Sequence, residues 1–267
     1  MFKRFVSVLT LALGVLPWSA TSSWSQEQTT ISITPRLWYS FISPAHAYPG
    51  RGMVVDNAAV PLFGASFTVV PAGLGGATVS LTALYGTGSG DYQATDACCV
   101  YSGTNDRQRL DVDGQVLFPI GTAGAYWSVG MRYFGTNAEA AGFDQFAAPF
   151  KFTTSQKFLL QEVGVGAQAP LNANGTQRFF GGLTFVVGQK ETETRDLSSA
   201  GFNGTSLARQ TVAGVDAAIG YAANLTASTM LYARYRLLVV SDIEDFGASD
   251  ARDIVHGPEL NISIKLN

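Results

Sequence analysis

The chain has 267 residues, with 17 Lys and Arg against 20 Asp and Glu, a balance that gives no basic footprint for nucleic acid. Hydrophobic residues reach 46% and charged ones only 14%, with 29 glycines. After residue 17, however, no apolar run approaches the roughly 18 residues of a spanning helix, which excludes a helical membrane protein and points to an all-β chain.

The first 25 residues read as a secretory signal peptide. Lys3 and Arg4 form the positive n-region and Phe5 to Leu16 the apolar core, and Ser23 and Ser25 are the small residues before a cleavage site at Gln26. An uncleaved anchor is the alternative reading. No Pro- or Ser-rich linker divides the remainder, so residues 26–267 are expected to form one domain.

Ten segments along that domain alternate at period two, as strands with two unlike faces do. The first sets Ile31, Ile33, Leu37, Tyr39 and Phe41 against Ser32, Thr34, Arg36 and Ser40. The second has Phe63, Ala65, Phe67 and Val69 against Ser66 and Thr68, and the third Val79, Leu81, Ala83 and Tyr85 against Ser80 and Thr82. In the fourth, Leu110, Val112, Val116, Phe118 and Ile120 alternate with Arg109, Asp111, Asp113 and Gln115. The fifth presents Trp127, Val129, Met131 and Tyr133 opposite Arg132, and the sixth Leu159, Val163, Val165 and Ala167 opposite Glu162 and Gln168. Phe179, Leu183, Phe185 and Val187 oppose Arg178 and Thr184 in the seventh, and Val215, Ala217, Ile219 and Tyr221 oppose Asp216 in the eighth. The ninth sets Leu231, Ala233, Tyr235, Leu237 and Val239 against Arg234 and Arg236. The tenth sets Leu260, Ile262, Ile264 and Leu266 against Glu259, Asn261, Ser263 and Lys265.

The apolar rows contain one polar residue, Gln161, and no charge. Alternation alone does not say which face meets water, because a soluble sandwich would bury the apolar face. Connection lengths arbitrate. Ala72–Gly76, Gly121–Gly124, Pro170–Thr176 and Ala223–Ala227 are brief, whereas Ser43–Val60, Ser89–Asp106, Thr136–Ser155, Gln189–Ala208 and Asp242–Asp253 are long and polar. Short turns on one rim and long loops on the other are the pattern of a transmembrane antiparallel up-and-down β-barrel. Ten strands are expected, with eight or twelve as alternatives.

The signal segment, the alternating strands and the sorted loops together resemble the bacterial outer-membrane β-barrel class over essentially the whole mature chain. The resemblance implies residence in the cell outer membrane, contact with its lipid and lipopolysaccharide, and insertion by the barrel assembly machinery. Members of that class usually end in an aromatic residue, whereas this chain ends Ile262-Ser-Ile-Lys-Leu-Asn267.

The polar face becomes the lumen in such a barrel. Arg36, Arg109, Arg132, Arg178, Arg234, Arg236 and Lys265 would share it with Asp111, Asp113, Glu162, Asp216 and Glu259. Turn positions suggest that Asp113 faces Arg132, Phe118 faces Trp127, Asp216 faces Arg234 and Thr68 faces Ser80. A ten-stranded bore is little wider than one that side chains fill, so these charges are expected to pair as a structural network. The alternative is a selective narrow pore for small solutes.

Chemical motifs are sparse. There is no phosphate loop, HExxH, GxSxG or CxxC, and the two cysteines, Cys98 and Cys99, are adjacent, where pairing closes only a strained ring. His46 and His256 could meet near the rim beside Asp253 or Glu259, but so few ligands favour two unrelated histidines. Asp250, Asp253 and His256 loosely echo the rim cluster of omptins, outer-membrane proteases, without matching a catalytic motif. No catalytic residue, metal site or cofactor is expected. The function read from the sequence is a narrow porin-like channel or structural surface protein. The alternatives are an enzyme with a rim site near His256, or an adhesin acting through its loops.

Overall fold

The computed structural model describes residues 28–43, 51–56, 58–96, 99–121, 124–196, 205–243 and 252–266. The expected signal peptide, His46, Cys98 and Asp250 lie outside them, and Cys99 carries no free thiol.

The described residues form strands β1 (Thr30–Ser43), β2 (Arg51–Asp56), β3 (Ala58–Val70), β4 (Thr78–Asp96), β5 (Val100–Ile120) and β6 (Ala125–Asp144). They continue as β7 (Pro149–Pro170), β8 (Gln177–Asp196), β9 (Thr205–Asn224), β10 (Thr229–Asp242) and β11 (Arg252–Lys265). Both β2 and β3 lie along β4, Asp56 opposite Tyr92 and Leu62 opposite Gly86, so they run end to end and the eleven strands make ten staves. Every pairing is antiparallel, in the order β4-β3-β1-β11-β10-β9-β8-β7-β6-β5, and β4 also pairs with β5 to close the ring. Closure satisfies the backbone hydrogen bonds within the sheet, the condition for crossing hydrocarbon with strands.

The apolar rows face outward, as the sequence implies. Phe63 and Phe185 are each 60% exposed, an exposure that a water-facing sheet would not give to rows of large apolar side chains. On β5 the outward row changes character partway: Ser102, Thr104, Asp106 and Gln108 give way to Leu110, Val112, Val116, Phe118 and Ile120. The same change falls between Lys157 and Leu159 on β7 and between Val187 and Gln189 on β8. The apolar part of β5 is as long as the 9–11 or so residues that cross a bilayer on the slant, whereas β5 and β7 run to 21 and 22 residues. The wall therefore projects well beyond its apolar band, on the rim opposite the short turns.

This projection corrects one expectation. Much of Ser89–Asp106, Thr136–Ser155 and Gln189–Ala208 is strand rather than loop: Ser89 pairs with Asp106, Thr136 with Gln156 and Gln189 with Thr211. Above the band the outward face is polar, and inward the polar Asn105, Arg107, Thr154 and Gln156 are interspersed with Tyr92, Ala140, Phe150 and Phe152, so the apolar-outward contrast disappears and the sequence reads as loop. Outward charges there pair across strands, Lys151 with Glu139 at 2.6 Å and Arg209 with Glu191 at 3.0 Å. Near the opposite edge Phe118 stacks on Trp127 at 4.3 Å, as the hairpin register requires.

The band makes the two faces unequal in their tolerance of charge. Val165→Arg or Leu183→Arg, on the outward face, is expected to destabilise the barrel by about 2–4 kcal/mol near a bilayer midplane. Thr184→Arg, on the inward face, should cost less. Folding titrations into lipid vesicles measure the difference, and equal losses at the two faces would reverse the assignment.

Candidate functional site in the lumen

Inward positions carry successive layers, three of which bear on the site, while Tyr92, Ala140, Phe150 and Phe152 form a further buried apolar cluster toward the far rim. Nearest the short turns lie hydroxyls and the charged residues of the sequence reading. Two to four residues further along most strands the inward position becomes apolar. Arg36 is followed by Trp38, Thr82 by Leu84, Arg132 by Phe134, and Arg236 by Leu238, while Glu162 stands next to Leu160 and Phe158. Beyond that apolar layer the inward residues turn polar again at Gln156, Lys190, Gln210, Asp242 and Asp253, where Lys190 meets Asp253 at 2.7 Å and Gln210 donates to Asp242 at 2.6 Å.

Arg132 is the hub of the charged layer. Its guanidinium lies 2.5 Å from the Asp216 carboxylate, 3.1 Å from Asp113, 3.2 Å from Glu162 and 3.8 Å from Asp111, and the side chain is 1% exposed. Asp216 is held from its other side by Arg236, whose Nε lies 3.1 and 3.0 Å from the two carboxylate oxygens. Asp111 also takes Arg109 at 3.3 Å, and the Gln115 amide donates to Asp113 at 3.2 Å and to Glu162 at 2.8 Å. Alongside, Glu259 accepts from Arg36 Nε and Arg234 Nε, both at 2.7 Å, and Arg36 also donates to Ser66 and Thr82 at 2.9 Å.

Five arginines (36, 109, 132, 234, 236) thus face five carboxylates (111, 113, 162, 216, 259), and the cluster is neutral in its ionised form. Removing so many charges from water is tolerable only when each finds opposite charge and hydrogen bonds nearby. The cluster is also tied to the apolar layer above it. The Arg109 guanidinium lies 4.7 Å from the centre of the Phe134 ring, and that of Arg236 lies 4.8 Å from the Trp38 ring. Cations packed on aromatic faces seat the ionic layer against the dry one.

Ten of the twelve predicted lumen charges come together in this way. Arg178 and Lys265 do not. Arg178 stays beside its turn, donating to the Gly175 carbonyl at 3.1 Å, and Lys265 is exposed near the end of β11. Asp113 faces Arg132 and Thr68 faces Ser80, as the turns suggest. Asp216, however, faces Leu238, while Arg234 lies across from Gly220 on one side and Glu259 on the other. The turn between β9 and β10 occupies residues 225–228, later than the centre at Leu225 that the sequence suggests, and closes with the Leu225 amide donating to the Thr229 carbonyl. Arg236 and Arg132 therefore hold Asp216, and Arg234 pairs with Glu259.

The histidine site does not assemble among the described residues. His256 faces outward, its Nδ1 2.6 Å from the Tyr235 hydroxyl and its ring stacked on Phe41 at 5.5 Å. Asp253 and Glu259 face the lumen, paired with Lys190 and with Arg36 and Arg234. Odd and even positions of one strand point to opposite sides of the wall, which separates His256 from both carboxylates.

Below the charged layer the lumen holds a cavity of about 600 Å³ that reaches the short-turn rim at Gly76, Pro119 and Gly124. The sequence reading missed the apolar layer and the aromatic residues of this cavity, Tyr126, Phe180 and Tyr232. The available signal was phase: each stands at the same parity as a charged inward residue of its strand, such as Trp38 two residues after Arg36.

No protein-family model matches the chain, and no curated protein matches it in sequence. Solved structures match it in shape. The outer membrane protease OmpT of Escherichia coli aligns with a TM-score of 0.54 at 8% identity, over 89% of this chain and 96% of that one. The translocator domain of the autotransporter NalP of Neisseria meningitidis aligns at 0.44 with 10% identity, over 98% and 95%. The β domain of the Bordetella autotransporter BrkA aligns at 0.42 with 11% identity, over 89% and 98%. At these identities the likeness is one of fold, that of bacterial outer-membrane β-barrels.

The geometry of the hub predicts non-additive energetics. Arg132→Ala leaves its carboxylates uncompensated and is expected to cost about 3–5 kcal/mol. Asp113→Ala should cost less, and the double variant less than the sum, with a coupling of about 0.5–3 kcal/mol. Urea unfolding midpoints in vesicles measure all three, and strictly additive losses would mean that the two side chains do not meet.

Proposed function

We propose that the protein is a non-conducting outer-membrane barrel, a structural surface protein whose bore is sealed by its own side chains. One observation carries this reading: Trp38, Leu62, Leu84, Phe134, Phe158, Leu160 and Leu238, each at most 2% exposed, form one cluster across the lumen directly above a neutral ion-pair layer. An ion crossing that layer would shed its water without meeting a compensating group, at a cost of several kcal/mol. Residence in the outer membrane is supported by the bilayer-height apolar band and by the fold. Lipid and lipopolysaccharide would lie against the band, and the barrel assembly machinery would insert the chain. The porin-like reading with small solutes in the bore finds less support, because the charged residues that would line its path are consumed by one another. A rim enzyme finds less still, since His256 faces away from the carboxylates it would need. An adhesive role is favoured only by the projecting wall, whose outward face offers a charged surface beyond the membrane.

Planar-bilayer recording tests the sealed bore. The natural chain should give no discrete conductance steps, whereas Trp38→Ala, Phe134→Ala, Phe158→Ala and Leu160→Ala combined should give them. Porin-like steps from the natural chain would refute the reading.

A further inference from the structure

The cavity below the charged layer is more elaborately built than a wall of random polar side chains. On one side, β1, β3 and β4 align two rungs of hydroxyls in register, Ser32–Thr68–Ser80 and Thr34–Ser66–Thr82. Within them Ser66 and Thr82 stand 2.7 Å apart and Thr68 and Ser80 3.3 Å apart. The strand order places β8 five staves from β3 in the ten-stave ring, directly across the bore. From that side, β6, β8 and β10 contribute Tyr126, Phe180 and Tyr232.

These rings rest against the wall because glycines let them. A Cβ at Gly166 would overlap the Tyr126 ring, and one at Gly220 would lie 2.8 Å from Phe180 Cζ. Side chains at those two positions would push the rings toward the barrel axis, so the glycines keep the space beside them open. Phe180 and Tyr232 meet edge to face at 5.9 Å, which leaves part of each ring face turned elsewhere. The inner end of the cavity is the ion-pair layer itself, and there Asp113 Oδ1 and Asn261 Oδ1 are buried with no hydrogen-bond partner.

We infer that this cavity is a binding site, open at the short-turn rim, for a neutral saccharide. Three properties select that class. The charged side chains that line it, Arg36, Arg132, Arg234 and Arg236 with Asp113 and Asp216, are each engaged in an ion pair of the five-to-five layer, so none is left free for an ionic ligand. The aromatic side presents flat apolar surface, which suits the C–H face of a pyranose ring. The hydroxyl rungs and the two unpartnered acceptors offer the dense hydrogen bonding that sugar hydroxyls need, and the volume of about 600 Å³ falls in the range of small-molecule sites. The sealed bore would make the site blind-ended, so the sugar is held and not passed.

The full chain, refolded in a detergent without a sugar headgroup, is dialysed to equilibrium against maltose, cellobiose and diacetylchitobiose, with citrate as an anionic control. This reads binding whether or not the barrel conducts, so it stands apart from the conductance test. Saturable binding of at least one disaccharide and none of citrate is expected. Tyr126→Leu and Phe180→Leu, which keep apolar bulk but remove the flat ring, should each weaken binding at least tenfold, as should Ser66→Val combined with Thr82→Val. Circular dichroism identifies the folded variants, and Gly166→Val supplies an independent disturbance of the Tyr126 ring if Tyr126→Leu fails to fold. Absence of saturable sugar binding, equal binding of citrate, or undiminished binding by the folded ring variants would overturn the inference.

Discussion

A ten-stave barrel is narrow enough that side chains from opposite walls meet, and the way this width is filled governs the rest of the structure. Arg132 shows the consequence most plainly. It reaches from β6 to Asp113 on β5, Glu162 on β7 and Asp216 on β9, so one guanidinium ties together strands spread over much of the ring. Charges brought so close in so dry a space must cancel, and the five-to-five composition of the cluster meets that requirement. A different bore would have left these arginines in water, as the lining of a channel.

The apolar layer follows from the same constraint. Once the ion pairs occupy the bore, the inward positions beyond them have neither water nor charge to address, and aromatic and branched side chains fill the remaining volume. Guanidinium groups packed on aromatic rings, Arg236 on Trp38 and Arg109 on Phe134, join the two layers. The barrel therefore has an interior core as well as a lipid-facing surface, and its two apolar populations differ in origin. Leu159 is apolar because it faces lipid, whereas Leu160, its neighbour, is apolar because it faces the seal.

That adjacency explains what the sequence could and could not disclose. Where lipid faces one side and charge the other, as from Leu110 to Gln115, alternation reveals both faces and even the partner across a tight hairpin, Asp113 with Arg132. Where both sides are apolar, as at Phe158, Leu159 and Leu160, the contrast vanishes and the seal is invisible. Where both are polar, as at Asp106 and Arg107, a strand imitates a loop. The position of Asp216 depended on a turn placed later than Leu225, which no periodicity encodes. Arg178 and Lys265 share the parity of the lumen charges but stand too near the short-turn rim to reach them, since parity gives the face and not the depth.

The central claim is that a dry layer closes the bore above a neutral ionic one, and Trp38 reports on it directly. The chain has four tryptophans, so replacing Trp18, Trp24 and Trp127 by Phe leaves Trp38 as the sole indole. In the folded, vesicle-inserted barrel its fluorescence should be blue-shifted and resist quenching by iodide and acrylamide added on both sides of the membrane. Emission at the wavelength of a hydrated indole, with quenching approaching that of the unfolded chain, would mean that water and solutes reach the layer, and would contradict the sealed bore.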